Sequence, residues 1–152
     1  MTLARRTQLS VFVDNVPGAL ARITGALAAK GVNVTALAAW GGSDHGVVRL
    51  IASDPMVATH LLGEAGMLVT EQPVLELTLP NRPGVTQDVA RRLAAARVNV
   101  EYLYGADVGD SGVIILRVDA ITRAEGALRT SPFFAGPKRA RGRAAPRATR
   151  RR

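Results

Sequence analysis

A four-residue motif that occurs twice constrains this chain more than any other feature. Residues Asn15–Gly18 read Asn-Val-Pro-Gly, and residues Asn81–Gly84, sixty-six positions later, read Asn-Arg-Pro-Gly. Each copy follows a strand-like apolar segment and precedes a helical segment with Leu-Ala-Ala, then Val-Asn-Val and then Gly-Val. Two copies are too few for a solenoid, which needs three or more repeats. The chain is therefore predicted to contain a pair of small, related domains.

Each copy is predicted to have the element order β-α-β-β-α-β. In the first copy, alternating apolar residues indicate a strand over 8–13. Pro17 suits the first turn of a helix, and Gly31 suits its left-handed end. The later elements of this copy are strands over 33–40 and 47–51, a helix over 55–65 and a strand over 67–71. This order is α+β and ferredoxin-like, with the helices on one face of an antiparallel sheet.

We expect a first unit over 7–72, a second unit over 73–130 and a basic tail over 131–152. The second unit has a predicted helix over 122–129 but no convincing last strand after it. Either Phe133 and Phe134 pack against the sheet in place of a strand, or the sheet is one strand short and exposes an edge. From about residue 135, the Ala, Arg, Pro and Gly composition predicts disorder.

The net charge of +8 belongs to the tail. Eight of the 20 basic residues lie from Lys138 onward, and no acidic residue follows Glu125, so the rest of the chain has 12 basic and 12 acidic residues. The absence of cysteine excludes disulfides, thiolate zinc sites and cysteine nucleophiles. No apolar stretch approaches the roughly 20 residues of a membrane-spanning helix. We expect a cytoplasmic protein.

The duplicated unit resembles the ACT domain. Residues Asp14–Leu20 match the family signature Asp-x-x-Pro-Gly-x-Leu, and Gly-Val-Asn-Val follows the first helix of that copy. Two such units over about residues 7–130 are similar to the small stand-alone tandem ACT proteins of bacteria. The resemblance implies binding of an amino acid or similar effector between units, homodimers or larger homo-oligomers, and regulation of an enzyme of amino-acid biosynthesis.

The resemblance also implies which residues contact the effector. In the serine-binding members, the Asn before x-Pro-Gly and the Asn after the first helix contact the ligand from facing subunits. The corresponding residues here, with the rest of the signature, are Asp14, Asn15, Pro17, Gly18, Leu20 and Asn33 in the first unit and Asn81, Arg82, Gly84 and Asn99 in the second. The family's His, two residues before the first Asn, is replaced by Val13 or Leu79, so the ligand's identity does not carry over.

Ordinary chemistry supports the same residues. A Pro-Gly loop brings bare N–H groups at a helix N-terminus close to an anion, and an Asn side chain both donates and accepts hydrogen bonds. Three alternatives stay open: Pro-Gly only starts a helix, Asn33 and Asn99 only form turns, or a single unit binds ligand. Of the two units, the first is closer to the signature, because Asp14 and Leu20 become Pro80 and Thr86 in the second.

Other chemistry is not indicated. His45 and His60 are the only histidines and lack companion ligands at metal-binding spacing, so no metal or cofactor is expected. No nucleophile elbow, P-loop or dinucleotide fingerprint is present. We therefore predict a regulatory amino-acid sensor without catalysis of its own. The alternative is a protein associated with nucleic acid, whose basic tail binds phosphate backbones, although the tail has no aromatic residues for base stacking.

Overall fold

The computed structural model describes residues 1–134, so the expected tail disorder beyond residue 134 lies outside the described residues. The elements are β1 Thr2–Asp14, α1 Ala19–Ala28, β2 Val34–Gly41, β3 His45–Ala52, α2 Pro55–Glu64, β4 Leu68–Pro80, α3 Val85–Ala95, β5 Val100–Val108, β6 Ser111–Val118 and α4 Ile121–Arg129. None of these helices has the length and apolar character needed to cross a bilayer. The predicted α+β class with two β-α-β-β-α-β units is confirmed.

All six strands form one antiparallel sheet in the order β2-β3-β1-β4-β6-β5. The two central strands, β1 and β4, have 13 residues each and pair with one another from Thr2↔Thr78 to Phe12↔Leu68. Only the second half of β1 also pairs with β3, and only the second half of β4 also pairs with β6. Each long strand is therefore the first strand of its own unit and the last strand of the other.

The N-terminal segment Thr2–Thr7 thus takes the place of the last strand that the second unit lacks among the described residues. The strand starts at Thr2, earlier than the predicted start at residue 8, because this segment pairs with Pro73–Thr78 of β4. Phe133 and Phe134 pack against the core of the second unit, but the missing strand is replaced by Thr2–Thr7 and not by these two residues, as neither expected alternative foresaw. The edge that a missing strand would have exposed is covered.

Two equivalent cores lie under the helices. Ile23 and Leu27 of α1 pack with Leu50 of β3 in the first core. Their counterparts at a spacing of 66, Val89, Leu93 and Leu116, pack in the second. Three residues of β1 that are separated by even numbers of positions contact these two cores: Leu3, Leu9 and Val11. Since such residues share one sheet face, all four helices lie on that face.

The opposite face of the sheet closes upon itself. Ile51, Val74 and Ile115 form a third core there, joined by Ala36 of β2 and Tyr104 of β5, although these two strands are opposite edges of the sheet. The sheet therefore curls strongly enough to bring both edges together.

A polar network crosses the inside of this curl. Gln8 is fully buried; its Nε2 donates to the Tyr102 hydroxyl at 2.6 Å, and its Oε1 accepts from the Tyr104 hydroxyl at 3.0 Å. The Trp40 ring meets Tyr104 edge-on with centroids 5.9 Å apart. Burial raises the pKa of Tyr104 to about 12, with Tyr102 adding to this rise and Arg49 opposing it. These contacts pack the aromatic rings against one another and against Gln8 inside the curl.

Two equivalent grooves at the Pro-Gly loops

The two Pro-Gly loops adopt the same conformation. The backbone N–H of Asn15 donates to the carbonyl of Asp44 at 2.9 Å, and that of Asn81 donates to Asp110 at 2.9 Å. These bonds fix each loop to the hairpin of its own unit. The residue before each helix is a glycine in the left-handed region, Gly18 with φ 89° and Gly84 with φ 90°. A residue with a side chain would be strained at either position.

Neither α1 nor α3 has a side-chain cap at its start. The first N–H groups of a helix have no intrahelical acceptor, and they carry the positive end of the helix dipole. Both helix starts therefore offer hydrogen-bond donors to a small anion.

A groove lies beside each loop, between the helix start and the neighbouring hairpin. The first groove has a volume of ≈ 370 Å³ and the second ≈ 300 Å³. Apart from Gly18 and Leu103, every residue lining one groove has its counterpart 66 positions away lining the other. Both volumes lie near the lower end of the range of about 300–1,000 Å³ for small-molecule pockets.

The grooves contain some of the residues expected from the sequence. Asp14, Asn15, Gly18 and Leu20 line the first groove. Asn81 and Arg82 line the second groove, and Gly84 begins the helix beside it. Pro17 lies in the loop directly before α1.

Asn33 and Asn99 lie elsewhere. The backbone of Asn33 exchanges hydrogen bonds with Ser53 at 2.8 and 3.1 Å, and that of Asn99 bonds in the same way to Asp119 at 3.2 and 3.1 Å. Strand β3 separates Ser53 from the hairpin that holds Asn15. Its eight residues span about 25 Å at about 3.3 Å per residue. Within one chain, Asn33 and Asn99 therefore do not meet the Asn residue of their own unit's groove.

The two groove asparagines differ in how tightly they are held. Asn15 Nδ2 donates to the carbonyl of Gly42 at 2.6 Å, whereas Asn81 Nδ2 donates to Gly109 at 3.3 Å. A Cβ added to Gly41 would lie 3.0 Å from Asn15 Nδ2, so a glycine there lets the amide lie against the hairpin. In both grooves the amide oxygen accepts no hydrogen bond within residues 1–134 and is available to a ligand.

The charged groups of the grooves also differ. At the first, Asp14 Oδ1 lies 3.2 Å from His45 Nδ1, and both side chains are largely exposed. At the second, the Arg82 guanidinium lies 5.4 Å from the centre of the Phe133 ring. Sequence reasoning missed Asp107, which lines the second groove at the position of Gly41. It also missed that Trp40 lines the first groove. The corresponding residue of the second groove, 66 positions later, is Ala106.

Within residues 1–134, no group of three or more His, Asp or Glu side chains is placed to hold a metal ion. The grooves instead combine a helix start, an amide side chain and an apolar floor in each unit. These are groups that bind small polar molecules by hydrogen bonds.

Comparison with known proteins agrees with this geometry. The chain matches the family model for the ACT domain pair over residues 1–131. It is similar to protein BT0572 from Bacteroides thetaiotaomicron, with a TM-score of 0.80 and 29% identity, over 84% of this chain and 88% of that one. No curated protein matches the chain.

The same fold occurs in two regulatory subunits of aspartate kinase. The subunit from Thermus thermophilus, solved in a ligand-free form, has a TM-score of 0.64 and 20% identity, over 85% of this chain and 93% of that one. The subunit from Thermus flavus has a TM-score of 0.61 and 18% identity, over 85% and 94% of the two chains. With its duplicated Pro-Gly loops, its single six-stranded sheet and a family match along nearly all the described residues, this chain belongs to the ACT domain pair family.

Proposed function

We propose that this protein is a regulatory sensor that binds a free amino acid through its ACT units and has no catalytic activity of its own. The observation that carries the proposal is the duplicated groove. The same loop, helix start and hairpin line a cavity of amino-acid size in both halves of the chain.

The groups in the grooves suit the two charged ends of an amino acid. A carboxylate at the start of α1 or α3 gains about 0.3–1 kcal/mol from the helix dipole, and up to about 2 when partly buried. The amide oxygen of Asn15 or Asn81 can accept from an ammonium group. Each hydrogen bond to a charged group contributes about 1.5–3 kcal/mol. Two or three such contacts, less the cost of immobilising the ligand, give a Kd of roughly micromolar to millimolar.

A sensor of this kind acts through another protein. The fold is shared with regulatory subunits of aspartate kinase, and we propose that the partner here is also an enzyme of amino-acid biosynthesis. We further propose a homodimer in which Asn33 and Asn99 of one copy approach the grooves of the other. This arrangement would give those two residues the ligand contact that they lack within one chain.

The proposal is tested by measuring thermal unfolding with each of the twenty amino acids, followed by calorimetry on those that raise the melting temperature. At least one amino acid is expected to stabilise the protein. The Asn15→Ala, Asn81→Ala double variant is expected to lose most of this stabilisation, because both groove amides are removed. If no amino acid shifts the wild-type melting temperature beyond the shift seen with the variant, the proposal is wrong.

Two further variants define where binding occurs. Gln87→Ala removes an exposed amide from α3 outside the lining of either groove, and it should bind as the wild type does. Asn33→Ala with Asn99→Ala should weaken binding only if a second copy completes the site. Light scattering on the same samples reports whether a dimer is present.

A further inference from the structure

The two grooves differ in charge at two corresponding positions. The second groove is lined by Arg82, in the loop after β4, and by Asp107, near the end of β5. The first groove has Val16 and Gly41 at these positions. Only the second groove therefore has a basic and an acidic side chain in its lining at these two sites.

Neither charge is paired with an opposite charge within the described part of the chain. Among residues 1–134, no ion pair includes Arg82 or Asp107, and no hydrogen bond includes either side chain. The two also do not neutralise each other, although they line the same groove. Both charges are therefore available to a ligand.

The structure restricts where each group can move. The Arg82 guanidinium lies over the Phe133 ring, 5.4 Å from its centre. Phe133 belongs to a segment anchored by Ser131, whose hydroxyl donates to Asp88 of α3 at 3.0 Å. Asp107 lies across the hairpin above Gly112, since a Cβ added to that glycine would come within 3.1 Å of Asp107 Oδ1. One charge is therefore held on the loop side of the groove and the other on the hairpin side.

This arrangement matches the main-chain part of an α-amino acid. An arginine binds a carboxylate with two parallel hydrogen bonds, and an aspartate accepts hydrogen bonds from an ammonium group. The ≈ 300 Å³ volume suits one amino acid.

We propose that the second groove is the primary amino-acid site, with Arg82 binding the α-carboxylate and Asp107 binding the α-ammonium. This inference rests on the proposed function and specifies which half of the chain performs it. It also reverses the order of the two units expected from the signature. The first unit is closer to the signature, but its groove has neither charge at these two positions and is lined by Asp14 without a basic residue.

The experiment uses three probes that separate the two charges: glycine, acetate and methylammonium. Each is titrated to 100 mM into the full-length protein, and amide signals are followed by NMR at Gly84 and Gly112 for the second groove and at Gly18 and Gly46 for the first. We expect glycine to shift the second-groove signals and to bind there at least fivefold more tightly than either single-charge probe. Arg82→Gln should weaken glycine and acetate at least fivefold, and Asp107→Asn should weaken glycine and methylammonium equally.

Matched controls remove the same charges outside the groove lining. Asp110→Asn changes the same hairpin and Arg91→Gln changes the exposed face of α3, so both should bind glycine within twofold of the wild type. The inference is overturned if glycine shifts only first-groove signals, if it shifts none, or if the two groove variants bind like their controls. If a larger amino acid still stabilises the protein in any of these cases, the proposed function stands, and only the assignment of Arg82 and Asp107 to the two charged ends of the ligand is wrong. If no amino acid binds, both fall.

Discussion

The replacement Gln8→Leu tests whether the polar network inside the curled sheet stabilises the fold. Gln8 is fully buried, and its amide oxygen accepts a hydrogen bond from the Tyr104 hydroxyl at 3.0 Å. Leucine removes that acceptor, whereas the Tyr102 hydroxyl keeps Gln72 Oε1 as an acceptor at 3.2 Å. The variant therefore leaves the partly buried Tyr104 hydroxyl without its acceptor inside the curled sheet.

The magnitude follows from these contacts. Leaving a donor without its hydrogen-bond acceptor away from water costs about 1–3 kcal/mol. We expect Gln8→Leu to lower the free energy of unfolding by about 2 kcal/mol. For a chain of this size, this corresponds to a melting temperature lower by about 4–8 °C.

Urea unfolding provides the measurement. Far-ultraviolet circular dichroism reports the whole fold. The fluorescence of the single tryptophan, Trp40, reports the inside of the curl, where its ring contacts Tyr104. The double variant Gln8→Leu, Tyr104→Phe should recover about 1–2 kcal/mol, because the unpaired hydroxyl is removed. Gln87→Leu on the surface of α3 should stay within about 0.5 kcal/mol of the wild type. A loss below about 1 kcal/mol for Gln8→Leu, or no recovery in the double variant, would refute this reasoning.

Three other perturbations have definite expected outcomes. Gly105→Ala should destabilise the protein by more than about 2 kcal/mol in urea unfolding, because the added methyl group would overlap the carbonyl oxygen of Val113. Deleting residues 1–7 should unfold the second unit in preference to the first, as measured by hydrogen exchange, because it removes the strand paired with Pro73–Thr78. Acid should also weaken the fold, because the hydrogen bond from Arg92 lowers the pKa of Asp88 to about 2. Burial acts to raise this pKa, whereas hydrogen bonds from Arg91 and Ser131 lower it further. Because this folded pKa lies below the ordinary value of 3.8, the stabilisation is present above about pH 4 and is lost as the pH falls towards 2. After solvent screening it amounts to about 1 kcal/mol.

Controls for these perturbations come from the same elements. Gly25→Ala, on α1 with open space around the added carbon, should stabilise the protein by about 0.5–1 kcal/mol. Asp88→Asn should flatten the acid profile between pH 4 and 2, and an unchanged profile would contradict the role given to this carboxylate. Equal loss of exchange protection in both units after the deletion would show that the N-terminal strand supports the whole sheet and not mainly the second unit.

Much of the fold follows from patterns within short stretches of the chain. The 66-residue repeat predicted two units, and the Pro-Gly motifs predicted the starts of α1 and α3 to within two residues, since Pro17 lies in the loop before α1 and not in its first turn. Helical spacing places Leu20, Ile23 and Leu27 on one face of α1; Ile23 and Leu27 are buried in the first core, whereas Leu20 is exposed beside the groove. These predictions succeeded because helix starts and amphipathic faces depend on residues a few positions apart.

The residues of the candidate grooves could be predicted only in part from such local patterns. The Pro-Gly loops carried a local signal, so Asn15 and Asn81 were found at once, and both line a groove. No sequence motif marks Asp107, because an acidic residue near a hairpin is typical of an ordinary turn. The 66-residue spacing relates it to Gly41, but its place in the groove depends on how the hairpin lies against the loop.

The sequence by itself determined the repeat, the order of the elements and the apolar faces that form the two helix-covered cores. Only the tertiary structure decided that Thr2–Thr7 completes the second unit, that Gln8 joins two tyrosines across the curl, and that Asn33 lies far from Asn15. The physical reason is that an open strand edge accepts any segment with free backbone groups. Arg5 and Arg6 make this segment look like a surface stretch, yet they pair with Glu125 and Glu76 once the strand is in place. Which segment pairs with an open edge depends on residues far apart in the sequence, here Thr2–Thr7 and Pro73–Thr78.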